Sequence, residues 1–276
     1  MVSIRTFDEM ATRYFAFGCS YVDSRWGTLA DLISANFDEY YNFGNAGGCN
    51  TLSCNRLIEA DYLYNLNSET DYVTVGVTGI GRFSYVDKDE NLWITPGDIL
   101  HNMPEPNNLK TEKMKFLAHK FYSHNYAAYL SWVAIKTIST LLKAKNIKHK
   151  IYPSIDNLLY ITDHNLPAHT LEKVKDILNM CDIKESVDEY LLTRYQGNRG
   201  VKYDDGCEDT HPSQKQYYEY LQAYFPEFDN EKTKNRLEYL EKIFDKSSMN
   251  SQTLHFMKFV KSTRSGRKGL WMPYYE

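Results

Sequence analysis

One segment constrains the fold more than any other. Asp71-Tyr72-Val73-Thr74-Val75-Gly76-Val77-Thr78 is β-branched and apolar over nearly its whole length. This pattern is typical of a central strand in a parallel sheet, where layers of helices cover both faces. The segment therefore predicts an α/β protein.

The rest of the chain alternates between strand and helix patterns. Strands are predicted at 13–18, 39–43, 71–78 and 150–154, and helices at 26–33, from Asn50 or Thr51, at 120–146, 168–180, 186–194, 213–224 and 231–246. In the helix that follows Asn50, we expect Leu52, Leu57 and Ile58 to face inward. Such alternation predicts an open parallel sheet whose functional site lies at the carboxyl ends of the strands.

The chain is long enough for one main domain with additions. We predict a domain at 1–226 with insertions near 79–112 and 156–206, followed by a helical and basic C-terminal extension at 227–276. The insertion at 79–112 is longer than an ordinary connection between elements. Two interpretations are open: it is a functional loop or lid, or it is a simple surface excursion. The extension is either a solvated tail or a docking arm for a protein partner.

Composition excludes several classes of protein. The 276 residues carry a formal net charge of -4, so there is no global basic field, which argues against nucleic acid as a partner. Neither a signal-peptide pattern nor eighteen consecutive apolar residues occur, so we expect a cytoplasmic protein that is not in a membrane. The 23 tyrosines, with abundant Asn and Lys, are typical of an AT-rich genome, a viral one included.

The cysteines point away from disulfides and metals. Five cysteines, an odd number, form no CxxC pair, so we expect free thiols. A metal cluster at Cys19, Cys49 and Cys207 would lack the ligand spacing of a zinc site. Cys54 and Cys181 lie outside the motifs described next.

Three motifs contain residue types that suit nucleophilic catalysis. Ser20 ends the apolar run Tyr14-Phe15-Ala16-Phe17-Gly18-Cys19-Ser20, where it is either a helix N-cap or a nucleophile. His211, in Asp209-Thr210-His211-Pro212, is a candidate general base because imidazole titrates near neutrality. Gly47, in a glycine-rich turn after the second strand, can bring its N–H close to a ligand because it has no Cβ.

Four blocks of the chain together resemble the SGNH (GDSL-like) hydrolase superfamily, over about residues 13 to 224. They are Phe17-Gly18-Cys19-Ser20-Tyr21, Asn42-Phe43-Gly44-Asn45-Ala46-Gly47-Gly48-Cys49-Asn50, Val75-Gly76-Val77-Thr78-Gly79 and Asp209-Thr210-His211-Pro212. The resemblance implies a three-layer α/β/α sandwich of the flavodoxin type and no metal or organic cofactor. It also implies that Ser20 is the nucleophile, that Gly47 donates to the oxyanion hole, and that Asp209 and His211 complete the triad. Members are mostly esterases, lipases, thioesterases and carbohydrate deacetylases.

The chain departs from the family pattern in three places, as a divergent member would. Cys19 stands where GDSL members often have Asp, at a variable position. Thr78 stands where the family has an Asn that donates to the oxyanion, and Arg82 is a candidate to compensate or to bind an anionic substrate group, or is simply solvated. The family acid often precedes His by three residues, which indicates Glu208, but a two-residue spacing indicates Asp209, which we favour.

The sequence thus predicts a serine esterase that acts on a small acyl ester, with O-acetyl groups on a carbohydrate as the first class to test. The predicted catalytic residues are Ser20, Asp209 and His211, and the predicted oxyanion donors are the N–H groups of Ser20 and Gly47 and the Thr78 hydroxyl. An acyltransferase would use the same residues. A non-catalytic binding or structural protein with a degraded oxyanion hole is the alternative from another class.

Overall fold

The structure is a computed structural model that describes residues 11–24, 26–87, 92–95, 116, 120, 123–157, 167–195, 201, 202, 208, 209 and 211–246. Its strands are β1 (Arg13–Phe17), β2 (Glu39–Asn42), β3 (Asp71–Val77), β4 (Tyr85–Asp87), β5 (Leu92–Ile94), β6 (Lys148–Pro153), β7 (Val201–Lys202) and β8 (Glu208–Asp209). Its helices are α1 (Leu29–Ile33), α2 (Asn50–Tyr64), α3 (His124–Ala144), α4 (Ala168–Met180), α5 (Val187–Tyr195), α6 (Gln214–Tyr224) and α7 (Glu231–Lys246). Short 3-10 helices follow α1 and α6, at Ser34–Asn36 and Pro226–Phe228.

A parallel sheet with the strand order β2-β1-β3-β6 forms the centre of the protein. Every residue of β3 is buried, as its apolar pattern predicted. Phe17, the last residue of β1, pairs with Val75, so β3 extends two residues beyond the carboxyl end of β1. The remaining strands form two short antiparallel pairs, β4 with β5 and β7 with β8.

Helices cover both faces of this sheet. Phe15 and Phe17 of β1 point into a core shared with α2, α3 and α4. Tyr14 and Ala16 point the opposite way, into a core shared with α1, α5, α6 and α7. This alternation follows from the two-residue period of a strand. The prediction of an α/β fold with a three-layer α/β/α sandwich is therefore confirmed.

The bounds of the elements agree with prediction in some places and not in others. Both α4 and α7 begin and end at the predicted residues. The prediction that Ile58 faces inward is wrong, because its side chain is 49% exposed while Leu57 is fully buried. Adjacent helical residues point about 100° apart, so the narrow buried face of α2 accommodates only one of the two.

The last described helix, α7, packs into the layer around α1. The Asn36 side chain, next to α1, donates a hydrogen bond of 2.9 Å to Thr233 Oγ1. Leu240 is buried, and a Cβ on Gly27 would come within 2.6 Å of its Cδ1. The N-terminal part of the predicted extension is thus in contact with the sandwich, and the domain boundary at 226 stays a prediction.

Some predictions fall on residues that the structure does not describe. Most of the insertion at 79–112, part of the insertion at 156–206, Cys207 and residues 247–276 of the predicted extension lie outside the described residues. Within the part of the chain that is described, no helix is long and apolar enough to cross a membrane.

Candidate active site

The candidate site lies at the carboxyl edge of the central sheet. Ser20 follows β1, Gly47 follows β2, and Thr78 follows β3 directly. Because these strands are parallel and adjacent, the turns after them leave the sheet at one edge. The topology therefore brings the first three sequence motifs to the same side of the molecule.

Ser20 lies in a tight turn and does not cap a helix. The N–H groups of Val22 and Asp23 both donate to the Cys19 carbonyl, at 2.9 and 3.0 Å, and so fold the chain around Ser20. The N-cap of α1 is Thr28, whose N–H donates to the Asp31 carboxylate at 2.8 Å. The N-cap interpretation of Ser20 is therefore wrong, since α1 begins only at Leu29.

The glycine-rich turn after β2 packs directly against the Ser20 turn. Asn45 N–H donates to the Gly18 carbonyl at 3.0 Å. A Cβ on Gly44 would lie 2.9 Å from both the Asp23 nitrogen and the Val22 Cβ, so a larger residue would push the two turns apart. This close approach fixes the position of the second motif relative to the first.

His211 approaches Ser20 from the segment between β8 and α6. The distance between His211 Nε2 and Ser20 Oγ is 2.6 Å, although 191 positions separate them in the chain. The indole N–H of Trp26 donates to the Pro212 carbonyl at 2.8 Å and so anchors the residue next to His211. The imidazole also lies beside the Tyr21 ring, with centroids 5.2 Å apart. Ser20 and His211 are thus within hydrogen-bond reach.

The backbone of both candidate acids lies in β8, next to His211. Glu208 and Asp209 pair with Lys202 and Val201 of β7. The side chains of Glu208 and Asp209 are outside the described part of the structure. The choice between them as the partner of His211 stays as the sequence left it, with Asp209 favoured.

Two backbone N–H groups in the turns after β1 and β2 make no hydrogen bond within the described residues. Among the described residues, neither Ser20 N–H nor Gly47 N–H donates a hydrogen bond. Gly47 has a φ of 73°, in the left-handed region that glycine adopts without strain. Both N–H groups are predicted to bind an oxyanion, and no acceptor in the described part of the chain competes for them.

Thr78 is held by a network of side-chain amides that the sequence analysis missed. Its N–H donates to Asn50 Oδ1 at 2.9 Å, and Asn50 Nδ2 donates back to its carbonyl at 3.1 Å. Asn157 Nδ2 also contacts that carbonyl, at 3.4 Å, and its Oδ1 accepts from Ile80 N–H at 2.9 Å. The Thr78 hydroxyl is buried and has no hydrogen-bond partner in the described residues. The backbone of Thr78 is therefore fixed, while its hydroxyl remains unused.

Trp26 and Asn157 are the clearest omissions from the sequence prediction. The sequence pattern places Trp26 at the start of a predicted helix, and Asn157 lies in the predicted insertion at 156–206 with no motif around it. Their partners, Pro212 and Thr78, are 186 and 79 residues away in sequence. Local patterns give no sign of contacts over such separations, so only the tertiary structure reveals them.

The described cysteines do not form a cluster of metal ligands. Cys19, Cys49, Cys54 and Cys181 are free and buried. Across the described ranges, no group of three or more His, Cys, Asp and Glu side chains is placed to hold a metal ion. Burial raises the pKa of the Cys54 thiol to about 11, and it raises that of Cys181 to about 12.

The comparisons with known proteins find similarity at the level of structure. No protein-family model matches the sequence, and no curated protein matches it. A GDSL-like lipase from Bacteroides thetaiotaomicron is similar in structure, with a TM-score of 0.41 and 14% sequence identity over 78% of this chain and 86% of that chain. A likeness of this size says nothing about activity, so the roles of Ser20 and His211 depend on their geometry alone.

Proposed function

We propose that the protein is a serine esterase of the SGNH type that hydrolyses a small acyl ester, with O-acetyl groups on a carbohydrate as the first substrate class to test. The observation that carries the proposal is the 2.6 Å distance between Ser20 Oγ and His211 Nε2. A nucleophile and its base must come within this reach. The contact joins two motifs from opposite ends of the chain, and the sequence pattern predicts a catalytic role for each of them.

In the proposed reaction, His211 Nε2 takes the proton of the Ser20 hydroxyl as Oγ attacks the ester carbonyl carbon. Asp209 accepts a hydrogen bond from the other imidazole nitrogen and stabilises the charged ring. The tetrahedral intermediate collapses, the bond to the alcohol oxygen breaks, and His211 returns its proton to that oxygen. Water, deprotonated by His211, then releases the acid from the acyl-enzyme and restores Ser20.

The oxyanion of the intermediate would be bound by the N–H groups of Ser20 and Gly47 and by the Thr78 hydroxyl. The absence of competing acceptors for these groups among the described residues supports this assignment. Donors that are fixed in advance lower the barrier because they need no reorganisation during the reaction. Asn50 and Asn157 would serve this purpose by fixing the Thr78 backbone.

A fluorophosphonate label and p-nitrophenyl acetate turnover test the proposal directly. Wild-type protein should react with both, and Ser20→Ala should react with neither. Ser24→Ala is the matched control, because Ser24 lies in the same loop and is partly exposed. If folded wild-type protein shows neither labelling nor turnover, the hypothesis of generic ester hydrolysis is excluded, and the non-catalytic alternative is favoured.

A further inference from the structure

Arg82 lies in a turn that directly follows Thr78. Its N–H donates to the Gly79 carbonyl at 3.1 Å, which closes the turn. The Arg82 side chain folds back against Gly79. A Cβ built on Gly79 would lie 3.6 Å from both Cγ and Nε of Arg82. The same Cβ would lie 3.8 Å from Cδ1 of Ile155, which follows β6. The stem of Arg82 thus lies near the carboxyl ends of β3 and β6.

The Arg82 guanidinium is partly buried, and no counter-charge among the described residues accompanies it. Its Nη1 is inaccessible to solvent and has no hydrogen-bond partner, and no carboxylate of the described residues pairs with it. By contrast, Arg13 binds Asp71 at 2.7 Å and Arg56 binds Glu59 at 2.5 Å. Arginine stays charged at all physiological pH values, and a buried N–H without an acceptor is costly. Arg82 therefore has a donor that an external acceptor would satisfy.

The turn that holds Arg82 lies at the same edge of the sheet as the candidate active site. β1 and β3 are adjacent and parallel, so the turns that carry Ser20 and Arg82 leave the same edge of the sheet. Ser84, two residues beyond Arg82, has a buried hydroxyl that also lacks a partner among the described residues. The loop after β3 thus holds a cation and a hydroxyl that make no hydrogen bond within the described protein.

We propose that Arg82 forms an anion subsite beside Ser20, so that the substrates of this site are esters that also carry a carboxylate or phosphate group. This inference rests on the proposed esterase function for its substrate class. A guanidinium binds the oxygens of either anion through two parallel N–H bonds, which fixes orientation as well as adding affinity. The bound anion would supply the acceptor that Nη1 lacks and would hold the ester near Ser20 Oγ.

Two esters that differ in one charge test the subsite by catalysis. The substrates are 4-acetoxybenzoate and the neutral 4-acetoxybenzamide. The measured quantity is the ratio of their kcat/KM values. It is divided by the ratio of their spontaneous hydrolysis rates, which corrects for the difference in intrinsic reactivity. Wild type should favour the anion by roughly tenfold or more, as expected for hydrogen bonds to a charged group. The preference should disappear in Arg82→Gln and be partly restored in Arg82→Lys.

Arg236→Gln is the control for net charge, since Arg236 lies on α7 and removing it changes the total charge equally. It should keep the wild-type preference. A wild-type enzyme that treats the two esters alike overturns the proposal, whether or not the Arg82 variants fold. An equal preference in wild type and folded Arg82→Gln also overturns it.

Binding to the Ser20→Ala protein separates this inference from the esterase function. Calorimetric titration with benzoate, phenylphosphonate and benzamide requires no catalysis. The subsite is supported if the protein binds either anion but not the amide, and if the additional substitution Arg82→Gln abolishes that binding. This result counts even if no ester is hydrolysed. The anion that binds more tightly identifies the preferred group. Equal affinities for all three compounds, or no binding of any at millimolar concentration, overturns it.

Discussion

Trp26 Nε1 donates a hydrogen bond of 2.8 Å to the carbonyl oxygen of Pro212, and this bond ties the loop after β1 to the segment that carries His211. Trp26 is 1% exposed, so the bond is shielded from water. The indole ring also meets the imidazole of His211 edge-on, with centroids 6.3 Å apart. Trp26 is therefore placed to position His211 against Ser20.

We predict that Trp26→Phe lowers kcat about tenfold with little change in KM, because His211 loses its anchor while the binding groups remain. The variant should also lose about 1–3 kcal/mol of stability, since the Pro212 carbonyl is left without its donor. Steady-state kinetics and urea unfolding measure the two effects. Trp132→Phe is the control, because Trp132 donates to Asp176 at 2.6 Å in the opposite helical layer. It should lose stability and keep kcat.

The identity of the acid can be decided by two single substitutions. We expect Asp209→Ala to reduce kcat by several orders of magnitude, because the imidazole loses the carboxylate that orients it. Glu208→Ala should retain most of the wild-type turnover. Both are compared by p-nitrophenyl acetate turnover with protein whose folding is verified by circular dichroism. The reverse result, with Glu208→Ala inactive and Asp209→Ala active, would assign the role to Glu208.

Thr78 should show opposite effects on activity and stability. Thr78→Val replaces a buried hydroxyl that has no described partner by a methyl group of similar shape, so stability should stay the same or rise. If the hydroxyl binds the oxyanion, kcat should fall by about 10²-fold or more. Thr78→Ser keeps the hydroxyl and should keep most of the activity. Full activity in Thr78→Val would remove Thr78 from the oxyanion hole.

Stability should decline as the pH rises above about 8.5, where an unfolded thiol begins to lose its proton. Burial raises the folded-state pKa of Cys54 to about 11 and of Cys181 to about 12. Burial also raises the pKa of the Tyr14 and Tyr217 hydroxyls well above the usual value. In this pH range the unfolded chain binds fewer protons than the folded one, so the free energy of unfolding falls with pH.

Urea unfolding at pH 8 and pH 10 measures this decline. The double variant Cys54→Ala with Cys181→Ala should show a smaller decline, because only the tyrosines then contribute. A free energy of unfolding that is equal at the two pH values in wild type would contradict the expectation.

The sequence predicted those parts of the fold that depend on local patterns. The pattern of β3 indicated a central strand because every one of its side chains meets a helix layer. The amphipathic pattern of α4 gave its bounds correctly. The same reasoning failed for Ile58, which is exposed although it neighbours the buried Leu57, because periodicity alone does not tell how wide the buried face of α2 is.

The sequence by itself determined the fold class, the chain order of the motifs and the chemical types of the candidate residues. Only the tertiary structure decided that Ser20 lies in a turn rather than at a helix cap, and that His211 meets it at 2.6 Å. It also decided that Asn50 and Asn157 hold Thr78 and that Arg82 has no counter-charge among the described residues. The physical reason is range: periodicity and turn chemistry act over a few residues, whereas these contacts depend on which strands lie side by side.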